Sequence, residues 1–452
     1  MAESKEFEYK GISITTELPG PEAKRIIDLD ERYLVRSTKS LPIVARRGRD
    51  VFIEDVDGNV FLDFSSGISV TNVGHVHPKV KRAVMEQLDK LWHFAGTDFY
   101  YEAQVNAAKA ITEVTPGSFN KKVFFTNSGA ESNEAAIKLA KGFNGRQQFV
   151  SFIGAFHGRT QGALSLTASK AVHKKGFFPT MPGVEHVPYP NPYRNPFGID
   201  GYEEPDELTN RVLDYIEKFV FSTYLPPEDV SAFVVEPIQG EGGYIVPPMN
   251  FHKKLFKLAS EHDILVIMDE VQTGFGRTGK FFASEHFGVE PEMISLAKSI
   301  ASGIPMGAVV VHERLNFKYS GMHSNTYGGN LLASVASMET IKVMKEERLV
   351  ENSAEVGSYF KKRLEELKEK YSSIGDVRGI GLMLAIDFVK DRRTKEPDSS
   401  VRDRVFLNCY HNGLISLPTG SSALRFIPPL TVKKDQVDMA IDAIDRAIKK
   451  SL

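Results

Sequence analysis

Six short apolar runs constrain this chain more than any other feature: KVFFT (122–126), FVSFI (149–153), AFVVE (232–236), ILVIMDE (264–270), MISLA (293–297) and GAVVV (307–311). Each is nearly continuous in apolar character instead of alternating, which suits strands covered on both faces of a mainly parallel sheet. Between them stand amphipathic segments such as ESNEAAIKLAKGF and NFHKKLFKLASEH, the second apolar at 251, 255, 256, 258 and 259. Alternation of this kind from about 79 to 330 predicts an α/β fold with a doubly wound sheet.

The flanks read differently. Residues 1–35 form a polar lead-in with one helical stretch, PEAKRIIDLDERYL, and VFIEDVDGNVFLDF reads as a β-hairpin turning at Asp57-Gly58. Beyond 330 come charged helices (332–347 and 350–370), then RGIGLMLAIDF, another helix, a β-like stretch to Pro428 and a last helix from about 432. That texture is an α+β unit, expected to pack with the N-terminal hairpin. A length of 452 residues suggests three domains at roughly 150 each, but the pattern supports two. Residues 76–335 form the large one. Residues 1–75 (an N-terminal segment and part of the small domain) and 336–452 form a smaller, discontinuous one. The segment YPNPYRNPFGIDGYEEPDEL (189–208) reads as a long surface loop.

Composition excludes some partners. Lys and Arg total 56 against 58 Asp and Glu, a net charge of −2, so no overall basic field favours nucleic acid. The lone cysteine, Cys409, forms no internal disulfide and fits a reducing compartment. The N-terminus lacks the apolar run of a signal peptide, and no stretch approaches the ~18 apolar residues of a membrane span. The expectation is a cytoplasmic protein with no membrane partner.

One glycine segment is a decoy. Gly274-Phe-Gly276-Arg-Thr-Gly279-Lys280 follows a strand and matches both G-x-G-x-x-G and the core of a P-loop. A P-loop needs Ser or Thr next, and here stands Phe281, so nucleotide binding is rejected in favour of a flexible loop.

Asp269 ends the strongest strand, and strand C-termini of open α/β sheets are where ligands bind. Lys298 ends a second apolar run, where an amine demands a reason. Thr126-Asn-Ser-Gly-Ala-Glu131 enters a helix with small residues, which leaves backbone N–H groups and the positive helix end open to phosphate. In chain order these supply a phosphate anchor, a ring-nitrogen acid and a Schiff-base lysine.

The ordered set Ser128-Gly-Ala-Glu-Ser-Asn-Glu134, Phe156-His-Gly-Arg159, Glu236-Pro-Ile-Gln-Gly-Glu241-Gly-Gly, Asp269-Glu-Val-Gln-Thr-Gly-Phe-Gly-Arg-Thr-Gly279, Lys298 and Thr326-Tyr-Gly-Gly-Asn330 resembles the class III (ω-amino acid) aminotransferases. Their relatives include ornithine and 4-aminobutyrate aminotransferases and some amino acid racemases. The likeness runs from the 56–78 region to the Pro-Pro after Arg425.

The resemblance implies a pyridoxal 5′-phosphate (PLP) enzyme of the aspartate aminotransferase fold (fold type I), with PLP in the large domain. Lys298 would hold PLP as a Schiff base and carry a proton between Cα and C4′. Asp269 would pair with the ring nitrogen, and Ser128, Gly129 and Ala130 would bind the phosphate. Phe156 would stack on the ring with His157 beside it, Val271 beneath it and Gln272 near its hydroxyl; Glu236 joins the same cofactor set. Thr326 would reach the phosphate of a neighbouring subunit, which implies a homodimer or a dimer-based oligomer.

On the substrate side, Arg425 would grip the α-carboxylate, since a planar guanidinium suits that task. Glu241 would be the family's switch glutamate, Arg159 would meet a distal carboxylate, and Ile68 would contact substrate. Asp98, in the segment 96–101, is a candidate for a distal amine, with a surface acid as the plainer reading. His75 and His77 mimic a metal pair but lie in the family's G-H-x-H-P loop, so no metal is expected. Leu331 stands where the family usually has proline.

The implied reaction moves an amino group from an ω-amino or related amino acid to 2-oxoglutarate. Its partners are small-molecule amino acids and 2-oxo acids. Racemisation at Cα uses the same motifs and remains the alternative. A third reading, an idle PLP-binding regulator, lacks a DNA-binding domain in the first 50 residues.

Overall fold

Every one of the six apolar runs is a strand of one sheet in the structure, a computed structural model that describes residues 9–452. The first eight residues of the polar lead-in lie outside the described residues. In chain order the strands are β1 (Ala45–Arg49), β2 (Phe52–Asp55), β3 (Val60–Asp63), β4 (Lys121–Thr126), β5 (Gln148–Phe152), β6 (Val184–Val187), β7 (Val230–Val235), β8 (Leu265–Asp269), β9 (Met293–Leu296), β10 (Gly307–His312), β11 (Ile374–Ile380), β12 (Met383–Phe388), β13 (Leu414–Ile415), β14 (Leu417–Thr419) and β15 (Ala423–Phe426).

The large sheet has the order β4-β10-β9-β8-β7-β5-β6 among the described residues. β10 runs antiparallel to both neighbours, and the other pairings are parallel. Helices cover both faces, which is why β7 and β8 are buried at every position. β6 was not legible in the sequence. It is a short edge strand with three half-buried residues, so it carries no apolar run.

The two ends of the chain meet. The hairpin β2–β3 forms as expected, and β13 pairs in parallel with β3, joining Leu414 to Leu62. A second antiparallel sheet, β11-β12-β15-β14, carries Arg425 on β15. The helix Pro21–Tyr33 and the last helix Lys434–Ser451 fall where the periodicity puts them.

Two expectations need correction. The segment 189–208 is not a surface loop throughout: Tyr189 and Tyr193 are buried, and the Tyr189 hydroxyl donates to the carbonyls of Glu236 (3.2 Å) and Pro237 (3.1 Å). Its prolines and asparagines do set turns, but the interleaved aromatics pull half of it inward; the helix Pro205–Asp214 then begins inside it. The glycine segment 274–279 is no flexible loop either. Phe275 and Arg277 are fully buried, and the Gly276 N–H donates to the Phe281 carbonyl at 3.1 Å.

No helix among the described residues is long and apolar enough to cross a membrane.

Candidate active site

The C-terminal ends of β4, β5, β7, β8 and β9 open onto one cavity of about 700 Å³. Its deepest acid is Asp269, the last residue of β8. Oδ2 accepts from His157 Nδ1 (2.7 Å) and Asn133 Nδ2 (2.8 Å), and Oδ1 accepts from the Val271 N–H (3.0 Å). Three donors hold this one buried carboxylate in place. Asn133 comes from the helix Gly129–Asn144 and His157 from the loop after β5, so three separate chain segments fix this one side chain. His157 is itself anchored, its backbone N–H donating to Thr167 Oγ1 at 2.9 Å.

Lys298 follows β9 with φ of 50°, a left-handed conformation that a lysine adopts only under constraint. Burial pushes its amine below the ordinary lysine value, while the Asp269 carboxylate pulls the other way. A lowered value raises the neutral fraction near pH 7, as a nucleophilic or proton-carrying amine requires.

The helix Gly129–Asn144 starts beneath the cavity mouth. Ser128 caps it, its Oγ accepting from the Glu131 N–H at 3.2 Å. The Gly129 and Ala130 N–H groups at the first two helical positions remain for an anion. A Cβ on Gly129 would sit 2.8 Å from Val271 Cγ1, so glycine is what lets the helix end close against the Val271 floor.

Glu236, just past β7, ties two loops together. Its Oε1 accepts from the Phe156 N–H (2.9 Å) and its Oε2 from the Gly240 N–H (2.8 Å). Burial pushes its carboxyl up to about 7, against the opposing pull of His157. Phe156 meets His173 edge-on at 5.4 Å between ring centroids, and the Arg159 guanidinium lies 5.4 Å from the Phe156 ring. Arg159 is exposed at the rim. Gln272 Oε1 is buried without a partner, as are His157 Nε2 and Asn133 Oδ1.

On the opposite wall stands Arg425. Its Nη2 lies 2.7 Å from Glu241 Oε1, while Nε and Nη1 are buried and unpartnered. Lys170 holds the other oxygen of Glu241 at 3.3 Å. Burial works against ionisation of Glu241, yet the Arg425 and Lys170 charges hold its carboxyl down at about 2. Ile68 lines the cavity with φ of 67° and is 46% exposed.

Two candidates are not brought in. Thr326 and Asp98 are both exposed and line no part of this chain's own cavity. The two histidines diverge: His75 Nε2 meets Asp63 Oδ2 at 2.8 Å, and His77 Nε2 meets Glu347 Oε2 at 3.3 Å. Leu331 opens its helix without proline because Asn330 Oδ1 caps the Leu332 N–H at 3.0 Å.

Sequence reasoning missed Lys170, His173 and the role of Asn133. A buried asparagine inside a helix is unfavourable by propensity, and that was a usable signal. Lys170 sits in a polar stretch with no signal at all.

The cavity suits an anionic, ring-bearing cofactor. An open helix N-terminus, a hydrogen-bonded carboxyl group at the end of β8 and a desolvated amine converge on it, and buried polar atoms lacking partners lie in the same region. PLP offers a phosphate, a ring nitrogen and an aldehyde to match these three groups.

Comparison with known proteins agrees. Residues 33–448 match the family described as aminotransferase class-III. An alanine/serine racemase of Pyrococcus horikoshii is 43% identical over 97% of this chain and 93% of its own length. An acetylornithine aminotransferase of Methanothermobacter thermautotrophicus is 36% identical over 94% of this chain and 99% of its own length. Among solved structures, a PLP-bound amine transaminase from an uncultivated Pseudomonas species superposes with a TM-score of 0.85 at 29% identity, covering 100% of both chains.

Proposed function

This chain belongs to the class III aminotransferases, which are PLP enzymes, and from that premise we propose that it transfers an amino group from an α- or ω-amino acid to a 2-oxo acid such as 2-oxoglutarate. The observation that carries this reading is the Arg425–Glu241 pair at 2.7 Å, a cation that a substrate carboxylate can claim and an acid that neutralises it otherwise.

Bound PLP supplies an electron-withdrawing ring that stabilises negative charge at the substrate Cα. Lys298 would hold the cofactor covalently, then take and return the Cα proton as a neutral amine. Asp269 would keep the ring nitrogen protonated, its own orientation set by Asn133, His157 and the Val271 N–H. The Gly129 and Ala130 N–H groups and Ser128 would bind the phosphate. Phe156, Val271, Gln272 and Glu236 would fix the ring, and Arg425 would orient the substrate by its α-carboxylate. Ile68 would close the wall beside it, and Arg159 would meet a distal group at the rim.

A dimer is part of the proposal. Thr326 is exposed and outside its own chain's cavity, and Trp92, Phe94 and Tyr100 are 61%, 55% and 99% exposed. Such a cluster of solvent-facing aromatics supports burial against a second copy. Sedimentation showing a monomer at micromolar concentration would overturn that part.

Racemisation is a second reading with its own support. The identity to the alanine/serine racemase, 43%, exceeds the 36% to the acetylornithine aminotransferase. Both reactions begin with removal of the Cα proton, so one experiment divides them. The holoenzyme is incubated with single L-amino acids and no 2-oxo acid, followed by chiral analysis. Sustained formation of D-isomer overturns transamination as the main reaction. Product only when 2-oxoglutarate is added supports it.

A further inference from the structure

Arg277, within the glycine segment at 274–279, takes no part in the chemistry above. It is fully buried and forms no ion pair among the described residues. All its donors are nonetheless used. Nε donates to Ser69 Oγ (3.1 Å), Nη1 to the carbonyls of Leu382 (3.0 Å) and Pro428 (2.6 Å), and Nη2 to Ser66 Oγ (3.3 Å) and Asn72 Oδ1 (2.5 Å).

Two of those acceptors bracket an unusual turn. Ser66, Gly67, Ile68 and Ser69 have φ of 41°, 60°, 67° and 62°, four successive left-handed residues. For a β-branched residue such as Ile68 this is a genuine outlier, which persists only where the surroundings over-determine it. Arginine has no acceptor, so each serine hydroxyl must accept from it and is left to aim its one proton elsewhere. The Ser66 hydroxyl donates to the Ile427 carbonyl at 2.6 Å, and the Ser69 hydroxyl to the Gln272 carbonyl at 3.3 Å. Ser299, beside Lys298, donates to the Ser69 carbonyl at 2.7 Å.

We propose that Arg277 is a positioning residue for substrate side-chain selection: it locks the Ser66–Ser69 turn so that Ile68 stands as a fixed wall between the Lys298 and Arg425 ends of the cavity. The turn is tied at Ser299 to the lysine, at Gln272 to the floor and at Ile427 to the residue just after the strand that carries Arg425. Loss of the guanidinium takes one donor from each serine hydroxyl, leaves their protons free to turn away from Ile427 and Gln272, and lets Ile68 leave its left-handed conformation. This rests on the reading that substrate binds between Lys298 and Arg425.

The test uses holoenzyme and the ratio of kcat/KM for L-alanine to that for L-isoleucine, with D-isomer and 2-oxo acid both counted as product. Ile68→Ala and Arg277→Met are each expected to shift that ratio by roughly 10–100-fold while the visible band of bound cofactor is retained. In the double variant, Arg277→Met is expected to add nothing to Ile68→Ala, because it acts through that residue. Equal effects of Arg277→Met with and without Ile68 overturn the proposal. An unmoved ratio in Ile68→Ala overturns the substrate placement beneath it and the proposal with it. A shifted ratio in Ile68→Ala alone sinks only the Arg277 assignment. Should Arg277→Met fail to fold, Ser69→Ala decides: it removes one acceptor, and a shift of about threefold in the same direction is expected, absent when Ile68 is alanine.

Discussion

Arg425 Nη2 lies 2.7 Å from Glu241 Oε1, a contact that pairs the buried guanidinium through one nitrogen and leaves donors to spare. One face is formed by Nε and Nη2 and the other by Nη1 and Nη2, with a separate Nη2 N–H directed to each. The unpartnered, buried Nε and Nη1 are the halves left waiting. A substrate carboxylate can take the face that Glu241 leaves open, through Nη2 and an unpartnered nitrogen, while Lys170, at 3.3 Å from the other Glu241 oxygen, keeps that acid paired.

Glu241→Gln should therefore separate two classes of amine. Donors without an α-carboxylate leave Arg425 buried and unpaired in this variant, and their kcat/KM should fall on the order of 100-fold. α-Amino acids supply their own carboxylate and should lose less than about threefold. Steady-state kinetics on one donor of each class checks this, and an equal loss for both would refute the role of Glu241 as the stand-in partner of Arg425.

Lys298→Ala should remove the visible band of lysine-linked cofactor and lower turnover by at least roughly 100-fold, the lower end of what a positioned proton carrier contributes. The absorption spectrum of purified protein with added PLP is the measurement. A normal band in the variant would mean that another amine holds the cofactor.

Asp269→Asn keeps the shape of the site and removes its charge. The donors from His157 and Asn133, at 2.7 and 2.8 Å, then face an amide in place of a carboxylate. Turnover should drop roughly 100–1000-fold, the usual loss when a preorganised charge partner is removed. Turnover within a few-fold of the parent would show that the ring nitrogen does not depend on this acid.

Two buried glutamates should each contribute to the pH dependence of stability in the cofactor-free protein. Glu241 is held at about 2, below its ordinary 4.5, so the unfolded chain binds more protons between those values. Stability then rises with pH across about 2 to 4.5. Glu236 is raised to about 7, so the folded chain keeps a proton that the unfolded chain loses. Stability falls as pH rises from about 4.5 to 7. Melting temperatures across pH should rise less steeply through the first window in Glu241→Gln and fall less steeply through the second in Glu236→Gln; unchanged slopes would count against these contributions.

Much of this architecture was legible along the chain because its determinants are local. A run such as ILVIMDE declares a buried strand by its own side chains, and Asp269 is delivered to the sheet end by the length of that run. Ser128-Gly129-Ala130 declares an open helix start by residue size alone. Even so, the same local logic misread the glycine segment. Glycines do permit a loose loop, and nothing within seven residues says that Arg277 will be buried beneath the residues around 66, 72, 382 and 428.

From residue order alone come the α/β sheet and the position of Lys298 and Asp269 at the C-terminal ends of its strands, since each depends on side-chain pattern within a few residues; the class of cofactor follows from the family resemblance that the ordered motifs from 128 to 330 carry. Only the tertiary structure decides that His157 and Asn133 share one oxygen of Asp269, that Lys170 backs Glu241, and that Ile68 stands in a left-handed turn held by Arg277. Those contacts join residues 71 to 211 positions apart. Their geometry is set by how two sheets and the two chain ends close on one cavity, which no local periodicity encodes.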